Sequence, residues 1–231
     1  MSEAQNGRRE QARRVVAGLR QAYPDADCAL NFSNPLELLV ATILSAQCTD
    51  ERVNIVTADL FKKYRSAEDY AAVEQEALEQ DVHSTGFFRQ KARSIRTMAR
   101  MLVDEFDGQV PRDMEQLTRL PGVARKTANV VLGNAYHLAS GVVVDTHVRR
   151  LAYRLGLSDE TDPEKIERDL QEVVPRDDWV WFGHALILHG RQVCHARAPE
   201  CGACILSDVC PRRGVGAPPK ARARGAPRSN G

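Results

Sequence analysis

Ten residues near the middle of this chain, Leu120 to Asn129 (L-P-G-V-A-R-K-T-A-N), restrict its architecture more than any other stretch. Pro121 and Gly122 interrupt whatever helix precedes them. From Arg125 onward, Ala128, Val131, Leu132 and Ala135 recur at helical spacing. The stretch therefore predicts a helix ending near Leu120, a tight turn, and a second helix starting near Arg125. Such a turn leaves free backbone N–H groups at a helix N-terminus, which suits a phosphate. Lys126 falls in the first turn of that second helix. Taken alone, the same pattern also fits an ordinary helical hairpin with a solvated lysine.

The rest of the chain repeats the helical period. Residues 8–22 carry Ala12, Val15, Val16 and Leu19 on one face. Asn34-Pro35 reads as an N-cap followed by proline at the first helical position. Leu36, Leu39, Val40, Ile43 and Leu44 then form a stripe that extends to Gln47. Asp50 is the candidate cap of a helix reaching about Tyr64. Ser66 starts a short helix, Gln75–Asp81 is another, and Gly86 interrupts. The longest helix runs from Phe88 to Phe106 and stops at Gly108. Asp113 opens the helix that leads into the hairpin. Asp145 reads as an N-cap for Val148, Leu151, Ala152 and Leu155, and Asp162-Pro163 starts the next helix. In the last one, Trp179, Phe182, Leu186 and Ile187 face inward and Gly190 marks the end. Gly141–Val144 is the only clear β-branched run, too little for a sheet. The pattern predicts an all-α fold.

Bulk charge says little, because 32 basic and 31 acidic residues leave a net charge of +1. Six of the basic residues and no acid lie between Arg212 and the C-terminus, so the remainder is net negative. A nucleic-acid surface would have to come from local clustering. Residues 212–231, rich in Pro, Gly, Ala and Arg, read as a disordered basic tail. No apolar run approaches the ~18 residues of a membrane span, and the N-terminus has no secretory h-region. A cytoplasmic, monomeric protein without membrane contact is expected.

Four of the six cysteines form the pattern C-x6-C-x2-C-x5-C: Cys194, Cys201, Cys204 and Cys210. Four thiolates so close together suit structural zinc, an iron–sulfur cluster or two disulfides. Spacing alone favours a metal and leaves its identity open. Arg191, Arg197, Arg212 and Arg213 flank the loop and would suit a phosphate backbone. Cys28 and Cys48 read as small buried apolar residues. His184, His189 and His195 are not needed as ligands, and His147 reads as a packing histidine.

Taken in order, the hairpin, V-D-T-H at Val144–His147, L-S-A-Q at Leu44–Gln47, L-H-G-R at Leu188–Arg191 and the cysteine spacing resemble the endonuclease III family of DNA repair glycosylases. The resemblance spans about Pro35 to Cys210. It implies a two-domain helix-hairpin-helix glycosylase fold. A six-helix domain would cover 29–137, and an iron–sulfur cluster domain would combine 8–28 with 138–211. It further implies a [4Fe–4S] cluster held by Cys194, Cys201, Cys204 and Cys210. The implied partner is double-stranded DNA containing damaged bases or abasic sites. The implied activity removes oxidised pyrimidines and cuts the strand at the resulting abasic site.

By the same resemblance Lys126 is the nucleophile and Asp145 the catalytic carboxylate. The helix N-terminus and Arg125 would together disfavour the charged, unreactive form of the lysine. The hairpin at Gly122, Val123, Ala124 and Arg125 would hold DNA. Gln47 would fill the gap left by a flipped base, and Phe87 would act as a wedge, where relatives often have an aliphatic residue. The chain departs from the family at Ala124, where the usual pattern has a second glycine. If that position needs a positive φ, alanine is costly and the turn is altered. Two alternatives differ in class or chemistry: the related adenine-mispair glycosylase, and a non-catalytic DNA-binding module with a structural metal. Lys126 and the short segment after Cys210 argue against the first.

Overall fold

The computed structural model describes residues 3–216. Among them are eleven α-helices, two short 3₁₀ turns and no strand. The helices are α1 (Glu3–Ala22), α2 (Pro35–Leu44), α3 (Asp50–Lys63), α4 (Ala67–Ala72), α5 (Gln75–Asp81), α6 (Phe88–Phe106), α7 (Met114–Arg119), α8 (Arg125–Ala135), α9 (Thr146–Arg154), α10 (Pro163–Val173) and α11 (Trp179–Gln192). None is long and apolar enough to cross a membrane.

Local chemistry explains most of the helix starts. Asn34 Oδ1 accepts from the Glu37 amide, and Pro35 occupies a position whose N–H would go unused. Ser66 and Asp69 form a reciprocal capping box on α4. Asp113, Asp145 and Asp162 cap α7, α9 and α10. Two expected boundaries are displaced. Thr49, not Asp50, caps α3, since the Thr49 hydroxyl accepts from the Arg52 amide and Asp50 becomes the first helical residue. Gly190 does not end α11. It is buried within the helix, where a side chain would collide with His147 and Arg150, and its carbonyl accepts from the Arg150 guanidinium.

Two apolar cores form. One is built from α2 to α8, with Leu38, Leu39, Ile95, Leu102 and Val131 at its centre. The other joins α1 to α9, α10 and α11 and takes in Leu206 of the cysteine loop. Gly18 lets α1 lie against Leu206, and Gln11 donates to the carbonyls of Leu155 and Val209. The Gly141–Val144 segment runs between the cores in extended form, with Val142 in one and Val143 in the other. This alternation is the period-two signature of that β-branched run, used here as a seam rather than as a sheet.

The basic segment expected to be disordered from 212 keeps structure through Gly216. Arg213 pairs with Asp159, its amide donates to the Arg154 carbonyl, and Val215 donates to Arg212. The remainder of the expected tail, 217–231, lies outside the described residues.

Removing the Asn34 cap with Asn34→Ala is expected to cost about 1 kcal/mol, while Asn34→Asp is nearly neutral. Urea unfolding midpoints of the two variants check this ordering.

Candidate active site

Leu120–Val123 forms a tight turn with Pro121 at its second position and Gly122, at φ +81°, at its third. The Val123 amide closes it by donating to the Leu120 carbonyl at 3.1 Å. This is the pattern of a type II turn, which demands a residue tolerant of positive φ. A Cβ on Gly122 would also lie 3.0 Å from that of Ser94. Val123 is therefore not free to hold DNA as the hairpin reading expects. Its amide is spent on the turn and its side chain is buried in the first core.

Ala124 has φ −85° and ψ 167°, ordinary extended backbone. The expected penalty for alanine in place of glycine does not arise, because positive φ is needed at Gly122 and not here. Ala124 carries no side-chain cap, so the first-turn amides of α8 remain directed outward from the helix end. Lys126 is exposed in that first turn and makes no ion pair or side-chain hydrogen bond among the described residues.

Arg125 behaves differently from its neighbour. Its Nε donates to Glu167 Oε2 at 2.8 Å, and a second guanidinium nitrogen reaches Oε1 at 3.2 Å. The Glu167 side chain is only 5% exposed. Asn129 Nδ2 donates to the same carboxylate at 2.9 Å, and the Ser140 hydroxyl donates to Asn129 Oδ1. Hydrogen bonding to Glu167 raises the Arg125 pKa further. The charge expected to act on Lys126 and on DNA is thus largely taken up inside the protein. Gly141 lies against this cluster, where a Cβ would sit 1.9 Å from Glu167 Oε1.

Asp145 caps α9 with Oδ1 accepting from the Val148 amide at 2.8 Å. The cap fixes the half-buried carboxylate and uses only one of its oxygens. Gln47 is not on the α2 stripe, since α2 ends at Leu44 and Gln47 lies in the following turn at φ 54°. It is exposed. Phe87 is 62% exposed and sits at φ 47°, directly after Gly86 at φ 72°. Both are large or polar residues in a conformation that non-glycine residues rarely adopt. Phe87 thus stands clear of the first core, while the adjacent Phe88 packs partly into it.

Cys194, Cys201, Cys204 and Cys210 line one pocket together with Arg154 and His189. Three N–H groups donate to their sulfurs. Arg154 donates to Cys194 Sγ at 3.3 Å, and the Leu206 and Arg212 amides donate to Cys204 and Cys210 at 3.4 Å. His189 Nε2 lies 3.4 Å from Cys204 Sγ, and burial lowers its pKa to about 4, so the ring is neutral near pH 7. Burial, reinforced by the neighbouring thiols, raises the Cys204 and Cys210 pKa values, so a cationic centre is needed to hold them as thiolates. Zinc with ~2.3 Å bonds would draw its four sulfurs close together, whereas a cluster spreads one thiolate to each iron. The donor set and its N–H partners fit an iron–sulfur cluster.

The sequence reading missed the arginines that matter most to this loop. Arg150 donates to the carbonyls of Gly190 and Cys194, and the buried Arg154 to those of His195 and Ala196. Of the flanking arginines, Arg191 pairs with Asp50 at 2.8 Å and Arg213 with Asp159, so neither is free for phosphate.

Residues 40–176 match the HhH-GPD superfamily of base excision DNA repair proteins. Residues 194–210, which begin and end on a cysteine of the cavity, match the iron–sulfur binding domain of endonuclease III. Endonuclease III of Synechocystis is 53% identical over 88% of this chain and 93% of that relative. The chain belongs to the endonuclease III family. The Escherichia coli member is 40% identical over 85% of this chain and 92% of its own. A solved endonuclease III trapped as a covalent intermediate with DNA superposes with a TM-score of 0.84 at 44% identity, covering 88% of this chain and 96% of that one. As a family member the protein is a bifunctional DNA glycosylase and abasic-site lyase of base excision repair, and it carries a [4Fe–4S] cluster.

The Arg125–Glu167 pair makes an asymmetric prediction. Arg125→Ala strands a buried carboxylate and is expected to cost about 2–3 kcal/mol. Glu167→Gln keeps the Asn129 contact and is expected to cost about 1 kcal/mol. Urea denaturation of the cluster-containing proteins checks the order.

Proposed function

We propose that this endonuclease III family member excises oxidised pyrimidines from duplex DNA through Lys126 and cleaves the strand by β-elimination. The observation that carries this reading is the exposed, unpaired Lys126 in the first turn of α8, directly after the glycine turn. A phosphate bound at the Gly122, Ala124, Arg125 and Lys126 amides would bring the sugar of a flipped nucleotide to that amine. The Nζ lone pair attacks C1′, the bond from C1′ to the damaged base breaks, and the base leaves and takes up a proton. Opening of the sugar ring gives a protonated imine between Nζ and C1′. Loss of a C2′ proton to a base then expels the 3′ phosphate. The free oxygen of Asp145 stabilises positive charge on the sugar and relays protons, while its other oxygen is held by the α9 cap.

Gln47 and Phe87 occupy the gap opened in the duplex. Exposed and preset in shape, they support that role. Cys194, Cys201, Cys204 and Cys210 hold the cluster, which supplies a structural tie for the loop that closes the second core. The protein acts as a monomer on cytoplasmic DNA.

Borohydride trapping on a duplex with an abasic site is expected to give a covalent adduct with the wild type and none with Lys126→Ala. Absence of the wild-type adduct overturns the reading. Cys204→Ala is expected to lose the brown colour and to retain well under the ~4 irons per chain of an intact cluster, as iron analysis would show.

A further inference from the structure

On the inner face of α6, among Ala92, Ile95, Met98, Ala99 and Leu102, stands one lysine. Lys91 is 5% exposed. Its Nζ donates to the carbonyls of Leu44 and Thr85, both at 2.8 Å. Leu44 is the last residue of α2, three residues before Gln47. Thr85 closes the 3₁₀ turn His83–Thr85, two residues before Phe87. Among the described residues, no other side chain is hydrogen-bonded to both turns. The Lys91 amide also donates to the Phe87 carbonyl at 3.1 Å.

An apolar residue would fill this place at less cost, since burying an ammonium is expensive unless acceptors compensate it. Here the acceptors are carbonyls left over at the end of α2 and in the 3₁₀ turn. The C-terminal end of α2 also favours a cation. Desolvation lowers the Lys91 pKa, with Cys48 acting in the opposite direction. Both turns continue into a non-glycine residue at positive φ, Gln47 at 54° and Phe87 at 47°. Such conformations persist only where the surroundings over-determine them.

We infer that Lys91 is a positioning residue that sets the spacing and aim of Gln47 and Phe87, and through them the enzyme's ability to hold a base out of the duplex. This rests on the gap-filling reading of those two residues. Lys91 touches neither DNA nor the reacting atoms in this scheme. Its loss should therefore weaken excision of a damaged base from duplex DNA while sparing imine formation on an abasic site that needs no extrusion.

The test compares cluster-containing wild type, Lys91→Met, Gln47→Ala, Phe87→Ala and the triple variant. Single-turnover excision of an oxidised pyrimidine from a duplex is measured beside borohydride trapping on a single-stranded abasic oligonucleotide. Lys91→Met is expected to lower duplex excision at least tenfold and to leave single-strand trapping within about twofold of wild type. Its loss should not add to those of Gln47→Ala and Phe87→Ala in the triple variant. Equal losses in both assays, or additive losses, would overturn the positioning role. Full excision by Lys91→Met beside impaired Gln47→Ala and Phe87→Ala would overturn the clamp alone. Full excision by Gln47→Ala and Phe87→Ala would overturn the gap-filling reading. If Lys91→Met does not fold, Lys91→Arg, which keeps the charge but not the reach of Nζ, must show the same selective loss.

Discussion

The buried carboxylate of Glu167 ties the molecule together. It sits on α10, in the half of the protein built on the second core, yet its partners Arg125 and Asn129 belong to α8 in the first. A carboxylate this deep is tolerable only when its oxygens are occupied. The need for partners fixes the start of α8 against α10. That start is also where Lys126 stands. The placement of the proposed nucleophile and the docking of the two cores are thus consequences of one electrostatic requirement, and Gly141 is the small residue that lets the seam pass beside it.

Much of this architecture is legible from local patterns. Helix starts at Asn34, Ser66, Asp113, Asp145 and Asp162 depend on a side chain and amides a few residues away, so sequence neighbours contain the whole interaction. The hairpin turn is equally local. What escaped were interactions between residues far apart in the chain. No neighbour of Glu167 in the chain signals its burial, because its arginine partner lies 42 positions earlier. The burial of Lys91 depends in part on the Leu44 carbonyl, 47 positions earlier in the chain. Gly190 looks like a helix terminator until His147 and Arg150 are seen to pack where its side chain would be.

The candidate site divides along the same line. Lys126, Asp145 and the four cysteines stand where motif spacing leads one to look. Val123 and Arg125 each carry a commitment inside the protein that motif spacing does not show. Around the cysteine loop the flanking arginines are conspicuous in the sequence, but the buried Arg150 and Arg154 hold its carbonyls and one sulfur. Motif spacing locates chemistry that acts within one segment. It does not reveal which charges the rest of the fold has already claimed.

The turns that present Gln47 and Phe87 are built into the fold, tied through Lys91 to the end of α2 and to the 3₁₀ turn. The conformational cost of their left-handed backbone is met once, at folding, and not again at each encounter. A protein that searches a long polymer for rare defects tests vast numbers of intact steps for every damaged one. With rigid probes, the barrier at each step belongs to the DNA, which must unstack and bend. Damaged steps yield more readily than sound ones. Under the proposed gap-filling role of Gln47 and Phe87, search is governed by the local softness of the duplex, and discrimination begins before any base enters a pocket.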